Sequence, residues 1–202
     1  MPEIINKRGR GRPAAFDYES ALDSAMGAFW RYGFEGTSMT ELTRAMGMNK
    51  TRIYAAYGSK EELFQKALNK YANGPVKFVA DSLNEKSAFD VVKKLLTNAA
   101  VNLTSTEQPY GCMIIQGALT CSKESQHIHE LLSTYRHSYE KQLFERLERA
   151  KAEKDIPSDA DTKSLAKFVA TVHQGMSVQA SSGASTEELL TVANMAAERF
   201  KH

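Results

Sequence analysis

Helix-start and helix-stop signals alternate through the first third of this chain, and they constrain its fold more than any other feature. Residues suited to cap a helix N-terminus and glycines suited to end a helix follow one another at Gly33, Ser38, Gly47, Asn49, Gly58 and Ser59. No segment shows a sustained alternation of polar and apolar residues, so no strand is predicted. We therefore predict an all-α protein whose first 70 residues form short helices joined by tight corners.

The rest of the chain carries longer amphipathic repeats, which begin after the break at Gly74-Pro75. Apolar residues recur at helical spacing over residues 87–104, 124–153, 165–179 and 189–200. The apolar segment 110–121 is expected to be buried. We expect three parts: a basic disordered arm over residues 1–14, a three-helix domain over 15–60, and a helical domain over 61–202.

Basic residues are concentrated at the N-terminus. Residues 1–14 hold four cations and one anion, whereas the whole chain has a net charge of only +2. A basic arm on a near-neutral body indicates contact with a polyanion. Arg10-Gly11-Arg12-Pro13 places two guanidiniums on a slim segment, which suits the narrow minor groove of A·T-rich DNA. A solvated tail without DNA contact is the alternative.

Residues 38–57 have the pattern of a helix-turn-helix. Leu42 and Ile53 supply core residues on either side of Gly47, which removes the Cβ penalty where the turn needs a positive φ. The second helix of such a unit presents its N-terminal residues to base edges, while hydroxyls and the next helix N-terminus approach phosphates. The predicted DNA-contacting residues are Arg10, Arg12, Lys50, Thr51, Arg52, Tyr54, Tyr57 and Lys60.

The segment GFEGTSMTELTRAMGMNKTRIYAAYGSKEELF resembles the signature of TetR-type bacterial transcriptional regulators. The resemblance covers about residues 16–71, and HQGMSVQASSGASTEELLTVANMAAERF is similar to the last helices of many members. It implies a three-helix DNA-binding domain, followed by an all-α domain that binds an inducer and forms dimers. By position in the motif, Ser38 and Thr40 open the supporting helix and Lys60 is the phosphate lysine. Ala56 departs from the pattern, since many members carry a His or Tyr there.

A ligand-responsive regulator needs a ligand pocket and a dimer interface. Polar groups on otherwise apolar faces predict the pocket residues Tyr110, Cys112, Met113, Gln116, Tyr135, His173 and Met176. Apolar positions on the last two helices predict the dimer residues Leu165, Phe168, Val172, Met176, Leu189, Val192, Met195 and Phe200. For each of these residues, a satisfied place in the core of the protomer is the alternative.

Cys112 permits a second interpretation of how the regulator senses its signal. A thiol just after Pro109-Tyr110-Gly111, at a helix N-terminus, would have a lowered pKa and would react with oxidants or electrophiles. Some regulators of the TetR type use a cysteine in a similar Gly-Cys context. A small buried hydrophobe is the competing interpretation.

Two other function classes are less well supported. An enzyme with Cys112 as nucleophile and His173 as base lacks a third orienting group, a nucleophile elbow or a phosphate loop. An architectural DNA binder would leave about 130 residues of helical body without a purpose. Metal-ligand spacing is also absent, so we expect no metal and no cofactor.

The compartment follows from what the sequence lacks. It has two cysteines, no apolar run of about 18 residues and no apolar stretch behind its N-terminal basic residues. We therefore expect a cytoplasmic protein without membrane contact. The sequence favours a dimeric regulator that binds a palindromic double-stranded DNA operator and is released from it by an unknown small-molecule inducer.

Overall fold

The computed structural model describes residues 17–201, and within that range ten helices and no strand are present. The helices are α1 (Tyr18–Gly36), α2 (Met39–Met46), α3 (Lys50–Tyr57), α4 (Lys60–Asn73), α5 (Lys77–Ser82), α6 (Ala88–Leu103), α7 (Met113–Gln116), α8 (Gln126–Ala152), α9 (Thr162–Ser181) and α10 (Thr186–Glu198). The predicted all-α class is confirmed. The predicted arm over residues 1–14, with Arg10 and Arg12, lies outside the described residues.

Two helices begin with a complete capping box, and a third begins with half of one. Ser59 and Glu62 exchange reciprocal hydrogen bonds at the start of α4, and Ser185 and Glu188 do the same at the start of α10. At α2, Ser38 accepts from the Glu41 N–H at 3.0 Å. The Glu41 carboxylate instead pairs with Arg44 at 2.6 Å, so this box is only half formed.

The first helix does not end at Gly33 as predicted. Gly33 takes a φ of +69°, yet the helix resumes and runs to Gly36. The break turns the Phe34 N–H towards the Gly117 carbonyl, 3.0 Å away. A Cβ at position 33 would lie 2.9 Å from that carbonyl oxygen, so both the dihedral angle and the close approach require glycine here.

An aromatic cluster joins α1 to α4. The Phe64 ring is fully buried and packs edge-on against Phe29, at 5.0 Å between centroids, and against Phe34, at 5.2 Å. Further along α4, Tyr71 packs edge-on against Trp30. The predicted domain boundary at residue 60 therefore falls at the start of a helix that packs on the first domain and leads into the second.

In the second half, α6 packs against α9 and α10, and α8 packs along α9. Arg146 on α8 is buried and donates to the carbonyls of Leu83, Glu85 and Lys86, which holds the loop before α6 in place. None of the helices in the described part of the chain combines the length and the apolar character needed to cross a membrane.

The segment 110–121 is buried in its middle, as predicted, since Met113, Ile115 and Ala118 belong to the core. Its ends differ from the prediction, because the side chains of Tyr110 and Leu119 are both about half exposed. The segment forms only the single turn of α7. Gly111 at its start adopts a positive φ, which bends the chain into that turn.

Candidate nucleic-acid interface

The helix α3 is built to present its N-terminal side chains outward. Asn49 caps it by accepting from the Arg52 N–H at 2.8 Å. Ile53 and Tyr57 point into the core. The side chains left exposed on the helix include Lys50, Thr51, Arg52 and Tyr54. A guanidinium or ammonium group can donate to guanine, and a threonine methyl can contact thymine.

Aromatic rings support the two cations of α3. The Lys50 Nζ lies 5.9 Å from the centre of the Tyr54 ring. The Arg52 guanidinium lies 5.4 Å from the centre of the Tyr18 ring, and its Nη2 is 3.4 Å from the Tyr18 hydroxyl. These contacts, each within the range of a cation–π attraction, restrict where the two charged groups can point.

Lys60 opens α4 beside the N-cap Ser59. Its Nζ lies 4.2 Å from the centre of the Phe34 ring. Partial burial lowers the pKa of Lys60, while the nearby Glu35 carboxylate opposes that shift. An ammonium group at a helix N-terminus, together with the free backbone N–H groups there, is suited to hold a phosphate.

Ser38 and Thr40, at the start of α2, are exposed on the protein surface. Tyr57 differs from its prediction as a phosphate contact. Its side chain is buried, and its hydroxyl donates to the Tyr18 carbonyl at 2.6 Å. That hydroxyl holds α1 against α3 and is already bonded to the backbone.

The second domain contains a cavity of about 280 Å³ between α4, α5, α7, α8 and α9, here called the central cavity. Of the predicted pocket residues, Cys112, Tyr135 and His173 line it. The prediction missed Arg136, Tyr139 and Gln142, which also line it. Tyr139 and Gln142 could have been predicted from helical spacing, because they share one face of α8 with Tyr135.

The other predicted pocket residues lie elsewhere. The Met113 and Met176 side chains belong to the hydrophobic core. Tyr110 lies in a surface cleft beside Trp30 and Tyr32. Gln116 tethers α7 to α9, because its Oε1 accepts from the Cys112 N–H and its Nε2 donates to the Ser181 hydroxyl at 2.8 Å.

Two titratable groups of the central cavity are held neutral. Burial lowers the pKa of His173 to about 4, and its Nδ1 lies 3.1 Å from the Tyr139 hydroxyl. Cys112 lies at the N-cap position of the four-residue helix α7, but its side chain makes no capping hydrogen bond. Burial raises the pKa of this thiol, which is opposite to the expected lowering.

The predicted dimer residues divide by exposure. Met176, Leu189 and Phe200 are buried in the core of the protomer, so they offer no surface to a partner. Leu165 and Val172 are partly buried. Three side chains project outward, with Met195 71% exposed and Phe168 and Val192 about 40% exposed.

Contacts of α1 connect the two domains. The Trp30 indole N–H donates to the Gly111 carbonyl at 3.0 Å, and the Phe34 N–H donates to the Gly117 carbonyl. The Glu35 carboxylate accepts from both the N–H and the hydroxyl of Ser122. The segment 111–122 also supplies Cys112 to the central cavity, so one short stretch of chain touches both the cavity and the first domain.

Metal ligation finds no support in the described part of the chain. Across residues 17–201, no three His, Cys, Asp or Glu side chains come together in a way that would hold an ion.

Two family profiles match the chain. "Bacterial regulatory proteins, tetR family" matches residues 21–67, and "Tetracyclin repressor-like, C-terminal domain" matches residues 88–195. The chain is 35% identical over 192 residues to the HTH-type transcriptional repressor ComR of Escherichia coli (strain K12). This alignment covers 93% of this chain and 90% of ComR. The chain is 29% identical to the HTH-type transcriptional repressor BdcR of the same strain, over 98% of this chain and 97% of BdcR.

A solved structure agrees with these relatives. The TetR family transcriptional regulator CifR, as a cysteine mutant in complex with 26-base-pair double-strand operator DNA, superposes with a TM-score of 0.89. It is 39% identical in sequence, and the match covers 94% of this chain and 100% of that chain. With both profiles matched and a relative aligned over nearly its full length, the chain belongs to the TetR family and is a DNA-binding transcriptional regulator, not an enzyme.

Proposed function

We propose that this protein is a dimeric cytoplasmic repressor, which reads a palindromic operator with α3 and leaves it when a small molecule occupies the central cavity. The observation that carries the proposal is the division of α3. Its N-terminal cations face outward while Ile53 and Tyr57 anchor it in the core. Relatives named repressors, and a similar regulator seen with operator DNA, support the same role.

The dimer surface is proposed on α9 and α10. Phe168, Val192 and Met195 expose apolar surface there, and exposed apolar side chains grouped on two neighbouring helices mark an interaction site. A two-fold dimer places two copies of α3 on the two halves of a palindrome.

Inducer action is proposed to pass through the segment 111–122. A ligand changes DNA affinity only by favouring one of two arrangements of the protein. This segment lines the central cavity and holds α1 by hydrogen bonds at Trp30, Phe34 and Glu35. A shift of α7 therefore has a direct mechanical route to the helix-turn-helix.

Glu35 gives this connection a defined pH dependence. Hydrogen bonds from Ser125 and Ser122 lower its pKa from 4.5 to about 2. A carboxylate with a lowered pKa stabilises the fold above its ordinary pKa, and that contribution is lost as the pH falls towards the lowered value. We expect Glu35→Gln to lower the thermal midpoint by a constant amount between pH 8 and 5, and by less below pH 4.5.

The measurement is thermal unfolding of both proteins across that pH range. Glu124→Gln serves as the control, because Glu124 is an exposed carboxylate in the loop that contains the Glu35 partners Ser122 and Ser125. A difference between wild type and Glu35→Gln that grows below pH 4.5 would contradict the role assigned to this carboxylate.

Lys60→Ala tests the proposed phosphate contact. A contact to a phosphate carries no base information, so operator and random DNA should lose affinity in equal proportion. The slope of log affinity against log salt should flatten by about one. Fluorescence anisotropy over a salt series measures both, with Lys93→Ala on α6 as the control. A loss of affinity for the operator without a loss for random DNA would indicate that Lys60 contacts a base and not a phosphate.

The proposal as a whole is tested by selecting bound sequences from a random DNA pool with the full chain. An enriched palindrome is the expected result. Enrichment of A·T-rich DNA without two-fold symmetry would overturn the dimeric repressor in favour of an architectural binder. The thiol-based alternative through Cys112 stays a prediction, and the raised pKa of the buried thiol argues against it.

A further inference from the structure

The wall of the central cavity carries one full charge. Among its lining residues, Arg136 is the only arginine or lysine, and no aspartate or glutamate is present. His173 is neutral at pH 7 because burial lowers its pKa to about 4. The remaining polar lining consists of uncharged groups, such as Tyr139 and Gln142. An electropositive cavity of this kind favours an anion and disfavours a cation.

Arg136 lacks the partners that a structural arginine has. Its Nη1 donates to the Ile114 carbonyl at 2.9 Å, and within residues 17–201 it forms no ion pair with a carboxylate. A guanidinium has five N–H donors, so most of them remain available. Partial burial lowers the pKa of Arg136, since no acid compensates for the lost hydration.

A second arginine on the same helix shows the contrast. Arg146 lies about 15 Å further along α8 and faces the loop before α6, where it donates to three backbone carbonyls. Arg146 therefore has a structural role that explains its burial. Arg136 makes one such bond and turns towards an apolar cavity.

We propose that the inducer is a small organic acid whose carboxylate pairs with Arg136 inside the central cavity. This inference rests on the proposed function, which assigns the inducer to that cavity. The planar guanidinium matches a carboxylate with two parallel hydrogen bonds, which also fixes the orientation of the ligand. The apolar body of the acid packs against Val76, Val79 and Ile114.

The dimensions of the cavity limit the acid. A volume of about 280 Å³ lies at the lower end of ligand pockets, which suits a molecule with a short aliphatic chain or a single aromatic ring. A hydroxyl or carbonyl on the ligand can form a hydrogen bond with the Tyr139 hydroxyl or with His173. The Tyr139 hydroxyl oxygen and the His173 Nδ1 lie 3.1 Å apart.

Binding of a carboxylate to Arg136 would also affect the contacts that hold the helix-turn-helix domain. The same guanidinium holds the Ile114 carbonyl of α7, and the residues flanking α7 bond to Trp30 and Phe34 of α1. A carboxylate that draws Arg136 away from Ile114 weakens the hold on α7. Ligand charge is thereby linked to the position of α1.

The experiment compares carboxylates with their uncharged amides on the full chain. The probes are benzoate, phenylacetate, hexanoate and octanoate, each paired with its primary amide, and binding is measured by calorimetry. We expect at least one carboxylate to bind at least about tenfold more tightly than its amide, as charge-assisted hydrogen bonds predict. The same acid should release the selected operator in an anisotropy assay.

Variants assign that preference to Arg136. Arg136→Gln should reduce carboxylate affinity about tenfold or more and leave amide affinity unchanged, whereas Arg136→Lys should retain part of it as a point charge. Arg149→Gln is the matched control, because Arg149 is exposed on α8 outside the cavity. Unchanged amide affinity of Arg136→Gln shows that its cavity is still folded.

Three results would overturn the proposal: no carboxylate binds, the amides bind equally well, or Arg136→Gln leaves carboxylate binding unchanged. These outcomes are separable from failure of the repressor itself. An enriched palindrome, together with release of the operator by a neutral molecule, would support the proposed repressor function and contradict the proposal of an acidic inducer. Absence of an enriched palindrome would contradict the proposed repressor function, whether or not the carboxylates bind.

Discussion

Replacing Lys50 and Arg52 together by alanine should abolish operator recognition while leaving the fold intact. Both side chains are exposed at the N-terminal end of α3, where a recognition helix contacts base edges. A good base contact is worth about 1–3 kcal/mol, so two of them correspond to roughly 2–6 kcal/mol of lost specific affinity. Affinity for random DNA should fall less, because random DNA loses only the electrostatic attraction of the two charges and no specific base contact.

The matched control removes the same charge elsewhere. Lys93→Ala with Lys94→Ala deletes two exposed cations of α6 in the second domain and should change operator affinity little. Titration of operator and random DNA at one fixed salt concentration measures the specificity ratio for each protein. Equal losses on the two DNAs for the α3 variant would show that α3 does not read bases.

Phe64→Ala should destabilise the protein by about 3–5 kcal/mol, the usual loss for a large aromatic side chain removed from a core. Phe64 has no exposed surface and packs edge-on against both Phe29 and Phe34. Such a loss is a large part of the 5–15 kcal/mol that holds a typical domain together. Affinity for DNA should fall as well, because Phe64 packs against Phe34 and the Phe34 ring contacts the Lys60 ammonium group.

Chemical denaturation followed by circular dichroism measures this loss of free energy of unfolding. Phe144→Ala is the control, because Phe144 is 36% exposed on α8 and should cost much less. A similar loss for both variants would mean that the cluster of Phe29, Phe34 and Phe64 does not dominate the stability of the first domain.

Signals acting within a few residues were correctly interpreted from the sequence. Ser38, Asn49 and Ser59 cap helices where predicted, because an N-cap bonds to a backbone group only three residues away. The exposure of Lys50 and the burial of Ile53 follow from helical spacing alone. The family resemblance extended this local information to a fold and a function class.

Errors arose where a distant part of the chain decides the outcome. At Gly33 the helix bends because the Gly117 carbonyl, far along the chain, accepts from the next N–H. The hydroxyl of Tyr57 is used by Tyr18, across 39 residues. Met176 faces inward rather than towards a partner, since both faces of an apolar helix read alike until its neighbours are known.

The sequence by itself determined the helical class, most helix starts, the outward face of α3 and the family. The class, the helix starts and the face of α3 depend on contacts between residues three or four positions apart, which the order of amino acids specifies directly. The family follows from the resemblance of residues 16–71 to a known signature. Only the tertiary structure decided which residues enclose the central cavity and that Arg136 faces it without an acidic partner. A cavity is the space left by five helices packing together, and that space depends on long-range geometry that no short spacing of residues encodes.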